Sequence, residues 1–145
     1  MIQRIQTVFL FLAAMGFISL FKFPFAKSNM SESPLFEDKM FLVNDNIIMM
    51  ILSVLGALAC LVSISQYKNR LRQMRMAYIA IIMSIFLGVT AVWFVYSEAS
   101  NWSEQLNITD GAGIYISGMV LLFIILANYF IKKDEKTVRS MDRLR

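Results

Sequence analysis

The sequence predicts an all-α integral membrane protein, folded as one antiparallel four-helix bundle over residues 1–145. This prediction depends on a low content of charged residues, four long apolar segments, and an uneven distribution of Lys and Arg between the ends of those segments. Hydrophobic residues make up 58% of the 145 residues and charged residues 17%, whereas soluble domains have roughly 45–50% and about 25%. A soluble enzyme, a disordered chain and an ordinary nucleic-acid-binding module are therefore disfavoured.

Each apolar segment is long enough, or nearly so, to cross a hydrocarbon core about 30 Å thick, which takes roughly 20 helical residues. The last three segments contain no Asp, Glu, Lys or Arg, and the first contains only Lys22, close to its end. The first segment is longer than the apolar region of a signal peptide, and no A-x-A cleavage site follows it, so we expect it to be retained as a helix. The four segments cover residues 5–23, 47–65, 76–96 and 112–131.

Basic residues are concentrated at one end of the predicted bundle. That end combines the N-terminus, the loop between the second and third segments, and the tail 132–145; it has a net charge of +8. The opposite end has a net charge of −4. Because loops rich in Lys and Arg stay in the cytoplasm, we expect both termini inside, with the fourth helix extended into the cytoplasm.

Small residues are expected to bring the helices together, because lipid tails are as apolar as Leu and only close packing favours association. Ala80, Ser84 and Gly88 recur every four residues in the third segment, which predicts a helix contact along that face. Asn128 is the most polar residue inside a segment, and we expect it to bond to a neighbouring helix. The last three segments contain no ionisable carboxylate or basic group, which counts against a pump or a coupled transporter.

The sequence offers few groups for catalysis or for binding a metal ion. It contains no His and a single Cys, Cys60. A Ser-His or Cys-His nucleophile pair therefore cannot form, and a zinc site would have a poor ligand set. We predict that the chain is not an enzyme and has no catalytic residue, cofactor or metal ion.

The basic end is the predicted contact surface. The loop 67–75 contains basic residues and no acidic ones, and each basic residue is attracted to anionic lipid headgroups by about 1 kcal/mol; an RNA or ribosome surface is the less favoured partner. The tail is interpreted either as a solvated extension or as a docking surface for a larger membrane complex. The residues predicted to contact a partner or lipid headgroups are Gln3, Arg4, Lys68, Arg70, Arg72, Arg75, Lys132, Lys133, Arg139, Asp142, Arg143 and Arg145.

Two segments carry a family resemblance. The start MIQRIQT and the pattern KDE..VRS.DRLR at residues 133–145 resemble a family of small four-helix inner-membrane proteins from Bacteroidota, which is known only as a domain of unknown function. The resemblance implies a location in the cytoplasmic membrane of a Gram-negative bacterium. It implies no activity, substrate or catalytic residue.

The first and last helices of an up-down bundle can be neighbours. The polar residues that start the chain, Gln6 among them, would then meet Asn128, Asp134 and Glu135 at one surface. We expect that surface to bind a partner, which makes the chain a non-enzymatic accessory or scaffold subunit of a larger complex, for example in protein export or envelope biogenesis. A small transporter or channel subunit is the alternative, and a lipid-active membrane enzyme is less favoured. The partner and the oligomeric state stay open.

Overall fold

The computed structural model describes residues 3–28, 39–67, 69–101 and 108–142 of the chain. Within these residues the chain forms four α-helices, and each packs against the helix before and after it in the sequence. The first and last helices also pack together, which closes the ring as the sequence predicts. The helices are α1 (Gln3–Ser19), α2 (Ile47–Ser65), α3 (Arg70–Asn101) and α4 (Ala112–Asp142).

Three short strands cover one end of the bundle: β1 (Ala26–Ser28), β2 (Met40–Phe41) and β3 (Ile108–Asp110). They form an antiparallel sheet in the order β2-β1-β3. We call this the sheet end. The opposite end, which we call the basic end, combines the starts of α1 and α3 with the ends of α2 and α4.

Asparagine side chains cap the N-termini of two of the helices. The Asn46 Oδ1 accepts a hydrogen bond from the Ile48 backbone N–H at 2.9 Å, and the Asn69 Oδ1 accepts one from the Arg72 N–H at 3.3 Å. Such bonds satisfy backbone donors that have no partner within the first helical turn. The two caps explain why α2 begins at Ile47, where the apolar segment begins, and why α3 begins at Arg70, six residues before its apolar segment.

Helix α1 is shorter than the apolar segment that contains it. The segment continues to residue 23, but the helix ends at Ser19. Proline disfavours helical backbone in the residue before it, and Pro24 follows this segment directly. The chain then turns, with the Phe23 N–H donating to the Ser19 carbonyl at 3.2 Å. At the other end of the bundle, α4 continues as a helix to Asp142, as predicted.

Glycines at the start of α4 let the chain after α1 lie against it. The Gly111 N–H donates to the Phe25 carbonyl at 2.9 Å, and the Gly113 N–H donates to the Pro24 carbonyl at 2.8 Å. A Cβ atom at Gly113 would lie 2.9 Å from the Pro24 oxygen, closer than atoms in contact. This approach fixes β1 beside β3. The weak alternation in residues 37–43 predicts a short strand, and β2 lies there; β1 and β3 were not predicted.

Many small side chains are buried between the helices together with larger ones such as Phe17 and Ile124, and many large apolar side chains are exposed on the outside. Helix α2 shows the pattern: Gly56 is buried under the Phe17 ring, whose atoms lie 2.5–2.9 Å from where a Cβ would be. Beside it, the buried Ser53 Oγ donates to the Phe17 carbonyl at 3.0 Å. Side chains such as Phe86 and Leu122 are exposed on the outside. The small residues buried between the helices include Ala13, Ala14, Ala57, Ala59, Cys60, Ala77, Ala80, Ala91 and Ala127.

Three helices are long and apolar enough to cross a membrane. They are Ile47–Ser65, Arg70–Ser97 and Ala112–Val138. The apolar part of α1, Ile5–Ser19, is shorter. A water-exposed surface does not carry so many large apolar side chains, whereas packing through small residues is typical of helices surrounded by lipid.

Candidate docking surface at the basic end

Buried polar contacts tie the four helices together at the basic end. The Gln6 side chain is 3% exposed, and its Nε2 donates to the Phe130 carbonyl at 3.1 Å, joining the start of α1 to the end of α4. The Ser63 Oγ donates to the Gln73 carbonyl at 3.0 Å, joining the end of α2 to the start of α3. The predicted meeting of the first and last helices near this end is therefore present at Gln6.

An ion pair joins α3 to α4 beside these bonds. The Arg70 Nη2 lies 3.1 Å from the Asp134 Oδ2, and the Nη1 donates to the Asp134 carbonyl at 3.3 Å. The Oδ2 atom accepts no aligned hydrogen bond from the described residues, so charge holds the contact with the carboxylate. The two side chains are 24% and 13% exposed. Arg70 is one of the residues predicted to contact a partner or a lipid headgroup, and in the structure its guanidinium contacts Asp134.

Asn128 is expected to bond to a neighbouring helix, and among the described residues its carboxamide oxygen makes no such bond. The residue is 9% exposed, and its Oδ1 is buried without a hydrogen-bond partner among the described residues. An unpaired buried acceptor costs roughly 1–3 kcal/mol. Asn128 therefore weakens the described packing at the basic end, whereas Gln6 and Ser63 strengthen it.

A cationic surface lies on the outer side of α4. It contains Lys132, Lys133 and Lys136, which are exposed, and we call it the lysine face. Residues three and four apart share one side of a helix, so the three ammonium groups lie together. Within the described part of the chain, none of them is in an ion pair. The lysines line a shallow depression of about 640 Å³, which also includes Tyr129, Thr137 and Ser140.

The ion pair at Asp134 sets the direction of the lysine face. Asp134 and Glu135 are half-buried, and the contact with Arg70 turns their side of α4 toward α3. The lysines on the other side of the helix therefore point away from the bundle. An ammonium cluster of this kind can bind phosphate or carboxylate groups.

The other predicted contact residues are distributed over the same end. Arg72 and Arg75 are exposed on α3, and Lys132 and Lys133 belong to the lysine face. Four of the predicted residues lie in α1 and α4, but their side chains are outside the described part of the structure: Gln3, Arg4, Arg139 and Asp142. Three more lie wholly outside the described residues: Lys68, Arg143 and Arg145.

One member of the lysine face, and three residues that line the depression beside it, were not predicted. Lys136, Tyr129, Thr137 and Ser140 were not singled out as contact residues. The spacing 129, 132, 133, 136, 137 and 140 was a signal that could have found them, because it follows one side of a helix. The spacing is not obvious in the sequence, because the acidic residues Asp134 and Glu135, which lie on the opposite side of the helix, alternate with the lysines along the chain.

The stripe of small residues on α3 packs only in part. Ala80 is fully buried and Ser84 is 5% exposed, in agreement with the predicted helix contact. Gly88 differs, because a Cβ atom added there would meet nothing within 4 Å. It lines an open groove instead of contacting a neighbouring helix.

The fold and this surface define a class of protein: a four-helix bundle with three potential membrane-crossing helices, a sheet at one end and a basic surface at the other. Residues 2–144 match the family described as Domain of unknown function (DUF4293), and the chain belongs to that family. The resemblance to a domain-of-unknown-function family is thereby confirmed. No curated protein matches the chain, and neither does any solved structure.

Proposed function

We propose that this chain is a multi-pass protein of a Bacteroidota cytoplasmic membrane and a non-enzymatic accessory or scaffold subunit of a larger membrane complex, such as one for protein export or envelope biogenesis. The membrane location is supported by the many large apolar side chains exposed outside the bundle and by the small residues among those buried between its helices. The orientation, with both termini in the cytoplasm, is supported by the net charge of +8 at the basic end against −4 at the sheet end.

The lysine face is the observation that carries the docking role. Helix α4 has 31 residues and is therefore about 47 Å long, whereas the hydrocarbon core is about 30 Å thick. Its last turns would extend beyond the membrane and present Lys132, Lys133 and Lys136 on one side. A surface held in place before binding loses less conformational freedom when a partner binds. The contact of Arg70 with Asp134 supplies that order, and the lysines favour an acidic protein surface.

The test is to reverse the charge of the lysine face in the full-length protein. A tagged variant with Lys132→Glu, Lys133→Glu and Lys136→Glu is purified from native membranes in mild detergent beside the wild type. The amount of each co-purifying protein is measured relative to the tagged chain. We expect one partner in near-stoichiometric amount with the wild type and about tenfold less with the variant, because like charges across an interface are repulsive.

A matched control changes the same number of charges at the sheet end. Lys22, Lys27 and Lys39 are also exposed, and their replacement by Glu should leave the partner bound. A reporter fused to the C-terminus checks that the orientation is unchanged in both variants. If the lysine-face variant keeps the partner at the wild-type ratio, or loses only anionic phospholipid, the docking role is wrong. A homo-oligomer without another protein would favour the channel alternative.

A photo-crosslinking amino acid locates the contact directly. Thr137 is exposed beside the lysines, so a crosslinker there should reach the partner that the charge reversal removes. Tyr78 is exposed on α3, within the apolar segment that we place in the membrane, and a crosslinker there should capture lipid. Capture of the same partner from both positions would contradict docking through the lysine face.

A further inference from the structure

An apolar groove lies between α3 and α4 near the sheet end. Its volume is about 450 Å³, within the range of roughly 300–1,000 Å³ found for small-ligand sites. On α3 it is lined by Gly88, Ala91 and Val95, which follow one side of the helix. On α4 it is lined by Ile114 and Ser117. A Cβ at Gly88 would meet nothing within 4 Å, so this glycine leaves space rather than bringing helices together.

The walls and surroundings of the groove favour hydrocarbon as its content. The Ser117 hydroxyl donates to the Ile114 carbonyl at 2.9 Å, so its proton is used within α4. The other polar side chains of the lining are Tyr96 and Asp110, and the remaining lining residues are apolar or glycine, so most of the wall offers water none of the two to four polar partners that it needs. Val92 borders the groove, and it and the adjacent Trp93 are 63% and 72% exposed. In the proposed membrane location, the groove therefore opens toward lipid.

One charged group stands among the lining residues. Asp110 ends β3, is exposed, and makes no ion pair with any residue in the described ranges. The sheet end as a whole has a net charge of −4. A second copy of the chain in the same orientation would bring its own acidic end to this position, and like charges disfavour that contact. A zwitterionic lipid matches the site instead, because its ammonium group can contact the carboxylate and its net charge is zero.

We propose that the α3–α4 groove holds an acyl chain of a glycerophospholipid with a primary amine headgroup, phosphatidylethanolamine, and that the Asp110 carboxylate binds its ammonium group. The acyl chain of the lipid gives little selectivity, because it moves into the groove from a bilayer interior that is equally apolar. Selectivity over phosphatidylcholine comes from hydrogen bonds, because a primary ammonium donates N–H bonds to the Asp110 carboxylate and the quaternary ammonium of choline has no N–H to donate. This inference rests on the proposed membrane location and is independent of docking at the lysine face.

The amount and type of lipid that the purified protein retains test this proposal. The full-length protein is purified, stripped of lipid, reconstituted into nanodiscs with equal parts of phosphatidylethanolamine, phosphatidylglycerol and phosphatidylcholine, and released for native mass spectrometry. We expect one retained phosphatidylethanolamine, favoured about fivefold over phosphatidylcholine, the ratio expected of one hydrogen bond worth about 1 kcal/mol that only the primary ammonium donates. Gly88→Leu should reduce its retention about fivefold or more by filling the groove. Asp110→Asn should keep a lipid but remove the preference.

Gly118→Leu is the matched control, because a Cβ there also meets nothing within 4 Å, yet Gly118 does not line the groove. It should retain lipid as the wild type does. Melting temperatures of all variants check that each is folded. Unchanged retention with Gly88→Leu, an unchanged preference with Asp110→Asn, or a dimer that only Gly88→Leu dissociates would each overturn the proposal. Failure of the wild type to enter nanodiscs would instead contradict the membrane location.

Discussion

Replacing Arg70 with Ala should loosen the part of α4 that carries the lysine face. In the wild type, the guanidinium lies 3.1 Å from the Asp134 carboxylate and also donates to the backbone of that residue. Without it, the last turns of α4 lose their main polar attachment to α3 among the described residues. The helix beyond the buried Ile131 would then open more often, because most of the side chains described there are exposed.

The cost of this opening can be estimated from the geometry. Two unit charges 3.1 Å apart attract each other by about 5 kcal/mol at an effective dielectric constant of about 20, and desolvation offsets most of that energy. Exposed pairs contribute about 0–1 kcal/mol, and breaking a buried pair costs roughly 3–5 kcal/mol. With side chains 24% and 13% exposed, we expect about 1–2 kcal/mol for this pair. The open population should therefore rise about 5- to 30-fold.

Limited trypsin digestion of the protein in nanodiscs measures this population, because the lysine face supplies cleavage sites at Lys132, Lys133 and Lys136. When reclosing is faster than cleavage, the cleavage rate follows the fraction of open molecules. Arg70→Ala and Asp134→Ala should each accelerate cleavage of the tail about 5- to 30-fold. The double variant should be cleaved about as fast as either single one, since both changes remove the same interaction.

Arg72→Ala is the matched control, because Arg72 lies two residues from Arg70 but is exposed. Its tail should be cleaved at close to the wild-type rate. Equal acceleration in the Arg72 and Arg70 variants would show that net charge, not the ion pair, governs the tail. Additive effects of Arg70→Ala and Asp134→Ala would refute the reasoning as well.

Three further changes test the packing and the orientation. Gly56→Ala should lower the free energy of unfolding by about 1–3 kcal/mol, because its Cβ would overlap an aromatic ring; the melting temperature in detergent measures the loss. Asn128→Leu should raise the melting temperature, because it removes a buried acceptor that has no partner. In intact spheroplasts, a membrane-impermeant maleimide should label Lys27→Cys and leave Thr137→Cys unlabelled, because the proposed orientation places position 27 outside and position 137 inside. The native cysteine is buried and should add no background labelling.

Each change has its own control and contrary outcome. Gly118→Ala adds a Cβ in open space, so an equal loss at positions 118 and 56 would argue against ring overlap. A lower melting temperature with Asn128→Leu would mean that the amide contributes to the described packing. Labelling of the cysteine at position 137 before cell lysis would reverse the proposed orientation.

Hydropathy was sufficient to predict the number of helices and the position of α2. The segment 47–65 contains no charged residue, and its ends coincide with those of α2 because the Asn46 cap is adjacent to the first apolar residue. The end of α1 was not predictable in this way, because Leu20, Phe21 and Phe23 continue the apolar segment beyond Ser19. The turn before Pro24 is a backbone effect that a hydropathy pattern does not contain.

The sheet and the ion pair depend on contacts between distant parts of the chain. Strand β1 has three residues, too few to show a period of two, and it pairs with β3 in a register that places Lys27 opposite Thr109. Similarly, counting charges locates Arg70 and Asp134 at the same end but does not reveal that they touch. That contact requires α3 and α4 to be neighbours in one axial register, which their separate sequences do not specify.

The pairing of β1 with β3 has a consequence for biosynthesis. The bond from the Thr109 hydroxyl to the Lys27 carbonyl spans 82 residues, so β1 leaves the ribosome roughly 4–16 s before its second neighbour at ordinary elongation rates. Until then one edge of β1 lacks the strand that will cover it. The sheet can be completed only after three helices have been synthesised, which makes its closure a late step of folding.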